Sequence, residues 1–343
     1  MNRPQPSLAE PGAPEDARSQ PAKRWSGALG VGSVYLFVVA LLVLGRLISP
    51  GFWTGDNLLQ VVKDVSILGI IAVGVAFIAL SGHYVDLSIP AIMACSGIVA
   101  VYALPLGFAV ALLAGVMTGG ALGLVNGFMV GYLRLNPILW TLAGMSVFDG
   151  VTRWAYGGKW VYVKEGTPAG AQFAALYRGE WFGFVPVTVA LFALVAVAGE
   201  FLMRRTGFGK QLKFTGASYE AARLTGINVR RTVLLAFLIS GFTAALGGIV
   251  KTSFSKYGDV EIGLTYDFQA ITAVVIGGVT LAGGRGTMPG VIGGVLVIGL
   301  LGRILPLIPG IGQDEQLIIR GLIFVAAVGL NMLSLRRAGR SDA

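Results

Sequence analysis

Apolar residues in this chain do not alternate with polar ones at a strand or amphipathic-helix period. They run continuously, in ten blocks separated by short polar or glycine-rich intervals. The blocks cover residues 28–44, 64–81, 87–104, 107–131, 137–155, 184–203, 232–253, 267–282, 288–305 and 317–335. Most approach the roughly 20 residues that an α-helix needs to cross the hydrocarbon core of a bilayer. Helices that are hydrophobic all round belong in lipid or a protein core, so the pattern predicts an all-α integral membrane protein of about ten transmembrane helices, with the membrane domain over residues 25–338. The intervals at 81–86 and 283–289 are the weakest divisions, and two readings stand for each: a turn at the surface, or a break inside the membrane.

Residues 1–24 carry Pro4, Pro6, Pro11, Pro14 and Pro21 with mixed charges and almost no bulky apolar residues. This composition predicts a disordered tail. Lys23 and Arg24 precede the first apolar block as in a signal peptide, but no small-residue cleavage pattern follows, which favours an uncleaved first helix with its N-terminus in the cytoplasm. Ten spans then put both termini on that side, together with Arg3, Arg18, Lys23, Arg24, Arg134, Arg285, Arg336, Arg337, Arg340 and the seven bases between 204 and 231. The bias agrees with the positive-inside rule.

Composition sharpens this picture. Only 13% of residues are charged, about half of the globular norm of about 25%. The formal net charge of +9 is what basic cytoplasmic loops produce, and nucleic-acid binding is not expected. The single Cys95 forms no internal disulfide and has no metal-ligand companions. The 51 glycines are spread through the apolar blocks, where small residues let helix backbones approach. Gly115, Gly119, Gly123, Gly127 and Gly131 recur every four residues, on one face of one helix. Gly286, Gly290 and Gly294 repeat the spacing later, a hint of two pseudo-repeated halves.

One cytoplasmic loop is substantial, residues 204–231. Ser218 can cap a short amphipathic helix carrying Tyr219, Ala222 and Arg223, and Gly226 supplies its stop. The stretch 207–228 resembles the coupling loop of ABC importer permeases of the ribose-type sugar family. Ser81-Gly82, Asp86-Leu87-Ser88, Asn126-Gly127, Asn136-Pro137, Thr141-Leu142, Ile276-Gly277-Gly278 and Ala282-Gly283-Gly284-Arg285-Gly286-Thr287 carry the rest of the resemblance, in order. It implies a permease that translocates a monosaccharide or related polyol across the inner membrane, as a homodimer or paralogous heterodimer. The implied partners are an ABC ATPase subunit and an extracytoplasmic sugar-binding protein. The residues implied for ATPase coupling are Gly207, Gly209, Gly216, Glu220, Ala221, Ala222, Gly226 and Asn228, with 220–222 docking into the ATPase. A basic loop lying on anionic lipid is the plainer reading of the same segment. No GxxxxGK[ST] loop occurs, so the motor must be a separate chain.

Polar groups inside spans are costly and face an interior or a cavity. Asp86, Ser88, Asn126, Asn136, Thr141, Asp149 and Trp154 are the solute-path candidates, with Arg153 nearby. Hydrogen bonding that merely holds the bundle together is the alternative for each. His83, the only histidine, is either a relay or a boundary residue. The link 82–86 is one residue longer than is usual in the family, and Pro90 stands where Gly is common, which leaves the solute open. The loop 157–182 either meets the binding protein or is a solvated connection. An ion-coupled transporter remains a rival, with Asp149 its one plausible carboxylate, as does a branched-chain amino-acid or nucleoside permease. No HExxH or GxSxG motif points to an enzyme, and no cofactor or metal is expected.

Overall fold

The computed structural model describes residues 25–82 and 85–340, with side chains over 31–82 and 85–329. The tail 1–24, His83 and Tyr84 lie outside the described residues.

Thirteen helices are described: α1 (Trp25–Ile48), α2 (Gly55–Leu80), α3 (Ile89–Ala103), α4 (Phe108–Gly131), α5 (Pro137–Tyr156), α6 (Pro168–Arg178), α7 (Val187–Arg205), α8 (Gly207–Ala217), α9 (Tyr219–Leu224), α10 (Val229–Ser255), α11 (Tyr266–Ile276), α12 (Met288–Ile304) and α13 (Gln313–Arg340). Each of the ten apolar blocks falls on one of them. By length and composition, 7 of the described helices can cross a membrane: α1, α2, α3 with its following turn, α4, α7, α10 and α12. The other three blocks fall on α5, which carries Asp149 and Arg153, on α11 and on α13.

The block 267–282 is the clearest departure from the expected pattern. Helix α11 has only 11 residues, about 16 Å at 1.5 Å per residue, roughly half of a hydrocarbon core. Its stop is the pair Gly277 and Gly278, the latter at φ +81°, a conformation only glycine adopts without strain. The non-helical stretch therefore runs from 277 to 287, longer than the 283–289 break expected. Its backbone is satisfied locally: Thr280 N donates to Arg285 O (3.0 Å), and Thr280 Oγ1 donates to Gly283 O (2.7 Å). Gly286 lies in this stretch, because the helix begins only at Met288 with Pro289 in its first turn. The later glycine series thus contributes only Gly290 and Gly294 to a helix face, where they pack on Gly277 and Ala273 of α11.

Helices α2 and α10 form the centre. Every residue of α2 from Val65 to Leu80 is buried, as expected of a helix without a polar face. Helix α10 crosses α2, α3 and α4. The five glycines of α4 are all buried, four of them against α10 at backbone distance: a Cβ on Gly123 would stand 2.6 Å from Phe237 O, and one on Gly119 2.6 Å from Gly241 O. Gly127 and Gly131 meet Leu234 and Arg230 O, both at 2.8 Å, while Gly115 also meets Ser96 O of α3 at 2.8 Å.

Segment 157–182, expected as a loop, contains α6, capped by Thr167 and started by Pro168. Phe173 is fully buried, and its carbonyl accepts from Ser253 Oγ of α10 (2.7 Å). Two-residue antiparallel pairings, 161–162 with 257–258 and 180–181 with 185–186, tie down the rest.

Candidate functional site

The basic loop folds as two helices rather than one. Thr206 caps α8 by accepting from Gly209 N (3.3 Å), Ser218 caps α9 by accepting from Ala221 N (3.3 Å), and Asn228 caps α10 by accepting from Arg231 N (3.1 Å). Three polar caps within 23 residues bend the chain twice, because each side chain takes up a backbone donor that a continuing helix would have bonded. Gly226, at φ +80°, ends the α9 turn, and Ile227 N bonds back to Ala222 O (3.1 Å) in the manner of a glycine C-cap.

The faces of α9 divide sharply. Ala222 is fully buried and packs with Ile78, Val130, Val229, Val233 and Phe237, so it seats α9 on the membrane bundle. Ala221 is half-buried. Glu220 and Arg223 are exposed, and Leu224 is 86% exposed. The 220–222 segment therefore cannot present all three residues to a partner: its alanine end is turned inward, and the outward surface is Glu220, Arg223 and Leu224. Leu224 escaped sequence reading because the direction of a side chain on a six-residue helix is set only when that helix is packed.

Gly209 and Gly216 of α8 also face inward. A Cβ on Gly216 would lie 2.0 Å from Leu80 O and 2.5 Å from Gly284 N, and one on Gly209 2.3 Å from Met203 O; Gly207, at the helix start, is open. Gly216 meets Gly82 (φ +79°) and Gly283 (φ +93°), and a Cβ on Gly283 would lie 2.7 Å from the Cα of each. Gly284 N donates to Leu80 O (3.0 Å), closing one of the open carbonyls at the end of α2. Both breaks in the bundle thus converge on one point of α8, packed backbone to backbone.

Deeper in the bundle, a run of hydrogen bonds joins α3, α4 and α5. Trp140 Nε1 donates to Asn126 Oδ1 (2.9 Å), Asn126 Nδ2 to Ser88 Oγ (2.7 Å), and Ser88 Oγ and N to Asp86 Oδ1 (2.6 and 2.9 Å). Leu87 N donates to Thr141 Oγ1 (3.0 Å). Asp86, Ser88, Asn126 and Thr141 are fully buried; Asp86 Oδ2 has no hydrogen-bond partner among the described residues. Four of the seven path candidates therefore meet in one place, together with Trp140, which the sequence did not single out. The arrangement braces three helices, since buried polar groups that find partners fix their elements in register.

The other three candidates lie elsewhere. Asn136 caps α5, accepting from Ile138 N and Leu139 N (3.0 and 3.2 Å). Asp149 pairs with Arg153 at 3.9 Å, and Arg153 also reaches Glu261 at 3.9 Å. Trp154 is 86% exposed. Helix α5 buries a single stripe, Thr141, Gly144, Phe148 and Thr152, and leaves Leu142, Val147 and Val151 exposed. A second polar cluster, absent from the sequence reading, sits at the end of the bundle away from α8. Tyr177 OH donates to Asp64 Oδ1 (3.1 Å), Gln60 Nε2 donates to Tyr177, and Arg303 pairs with Asp64. Burial and the Asp64 charge push the Tyr177 phenol above its ordinary range, keeping it a donor. No group of three metal-ligating acids, histidines or cysteines occurs among the described residues.

The same chain has clear relatives. Residues 57–328 match the family described as branched-chain amino acid transport system, permease component. The L-arabinose transport system permease protein AraH of Escherichia coli K12 is 32% identical over 299 residues, covering 87% of this chain and 88% of that protein. The ribose import permease protein RbsC of the same organism is 32% identical over 304 residues, covering 85% and 91%. The L-arabinose ABC transporter permease protein AraH of Azospirillum brasilense is 33% identical over 324 residues, covering 91% of each. The apolar helices and the extent of these matches lead to one conclusion: the chain is a multi-pass membrane protein and belongs to this family of transport-system permease components.

Proposed function

We propose that this chain is the permease subunit of an ATP-driven importer that carries a monosaccharide across the bacterial cytoplasmic membrane. The relatives named for arabinose and ribose import support the cargo class. The observation that carries the mechanism is α9, anchored by the buried Ala222 and capped at both ends, with Glu220, Arg223 and Leu224 left facing out. A short helix held this firmly moves as a rigid body with the bundle, which is what coupling to a separate ATPase requires. The chain carries no nucleotide-binding loop of its own, so hydrolysis belongs to that partner, and an extracytoplasmic sugar-binding protein delivers the solute.

In this reading ten helices cross the membrane, α11 doing so together with the 277–287 stretch, and both termini lie on the cytoplasmic side with α8 and α9. Helices α3 and α12 support two related halves. Each starts with a proline in its first turn and ends in a Leu-Pro-Leu 3₁₀ turn, Leu104–Leu106 and Leu305–Leu307. Two copies, or this chain with a paralogue, enclose the solute path along the exposed face of α5, which carries Asp149 and Trp154. The buried Asp86 cluster acts as the brace behind it. Low affinity on this path favours release.

The test is uptake into proteoliposomes containing this permease, its ATPase and ATP, with binding protein and labelled pentose outside. ATP-dependent accumulation is expected, with none when ATP is replaced by a non-hydrolysable analogue. Accumulation driven by a proton or sodium gradient without the ATPase would overturn the proposal.

A further inference from the structure

Two cavities open at the end of the bundle away from α8 and α9. One, of about 670 Å³, is polar and is lined among others by Asp64, Lys251, Gln269, Arg303 and Arg320. The other, of about 410 Å³, is apolar and runs between α11, α12 and α13 past Phe268, Leu301, Leu317, Phe324 and Val325. They share a wall made by Thr265, Gln269, Ile298 and Arg320.

The charges in the polar cavity are unevenly matched. Asp64 is held by Arg303 and Tyr177, and Glu261 reaches Arg153. Asp259, also on the wall, has no ion pair within 4 Å among the described residues and offsets one cation. Lys251 and Arg320 have no ion pair within 4 Å among the described residues; Lys251 lies over the rings of Phe254 (4.8 Å) and Tyr266 (5.9 Å). A cation on a membrane helix is costly until an anion or water reaches it. Beside these cations, the apolar groove opens sideways, since Leu317 and Val325 are largely exposed. A small water-soluble solute would leave the groove empty, and a purely apolar ligand would leave the cations unmatched. An amphiphile with a negatively charged head fills both.

We propose that the joined cavities bind one anionic phospholipid, its phosphate beside Arg320 and Lys251 and an acyl chain between α11, α12 and α13. The proposal is independent of the solute carried. The test is native mass spectrometry of the full-length permease in detergent, titrated with phosphatidylglycerol or with phosphatidylcholine of the same chains. At least a tenfold preference for phosphatidylglycerol is expected, lost in the double variant Lys251→Met, Arg320→Gln and restored when Arg320→Lys replaces Arg320→Gln. Gly321 lines the groove and has nothing within 4 Å of a Cβ, so Gly321→Phe should weaken retention of both lipids. Equal binding of the two lipids by the unaltered protein, or an undiminished preference in the double variant, would overturn the proposal. So would full displacement by glycerol 3-phosphate, which marks a site for free phosphates. A Gly321→Phe protein that keeps its lipid but changes oligomeric state would show that a second copy covers the groove, and would overturn it as well.

Discussion

Ala222 and Leu224 are two residues apart in a six-residue helix, yet one is fully buried and the other 86% exposed. Leu224→Glu removes no packing, so the variant should insert and unfold at the normal temperature while ATP-driven uptake falls at least tenfold. Uptake and a melting curve on the same preparation check this. Ala222→Phe should behave oppositely in the melt, because overpacking a filled site costs typically about 1–3 kcal/mol. Gly216→Trp is not a clean probe of coupling: even a methyl group there would meet Leu80 O at 2.0 Å. Its expected result is a poorly inserted protein, read as loss of membrane-extractable material.

Between elements, contact is made by backbone where glycines align and by hydrogen bonds where they do not. Gly123→Ala forces α4 away from Phe237 O of α10 and should destabilise by about 1–3 kcal/mol. Gly150→Ala on α5 meets nothing within 4 Å and should leave the melting temperature unchanged or slightly higher, since alanine favours the helix. The pair, measured together, separates loss of a packing groove from the general effect of adding a methyl. At the brace, Trp140→Phe deletes the donor to Asn126 Oδ1 and strands a buried acceptor, at a cost of about 1–3 kcal/mol. Unfolding of the variant in the same detergent reads that cost directly.

For the whole molecule, sidedness is the open quantity that labelling can fix. In a Cys95→Ser background, Leu224→Cys and Leu135→Cys should react with a membrane-impermeant maleimide only from the cytoplasmic side. Phe182→Cys, 88% exposed at the other end, should react only from outside. Labelling of Leu224→Cys and Phe182→Cys from the same side would require an even number of crossings between them, so α7 could not be a single span.

Solvent class, the helical class, the positions of the apolar blocks and the cap at Ser218 were legible from residues alone, because each depends on local quantities: continuous apolarity, and a side-chain oxygen placed just before a helix. The family resemblance was legible for the same reason, as a series of short local motifs. Tertiary structure alone decided the direction of each side chain and the partners across the bundle. It turned Ala222 inward and Leu224 outward, gathered Asp86, Ser88, Asn126 and Thr141 with Trp140 in one place while assigning Asn136 to a cap, and brought Gly82, Gly216 and Gly283 together from distant parts of the sequence. It also cut the eighth block to 11 residues. In an apolar sequence nearly every face of a helix is equally greasy, so hydrophobic periodicity cannot say which face meets protein and which meets lipid; only packing of the neighbouring helices sets that choice.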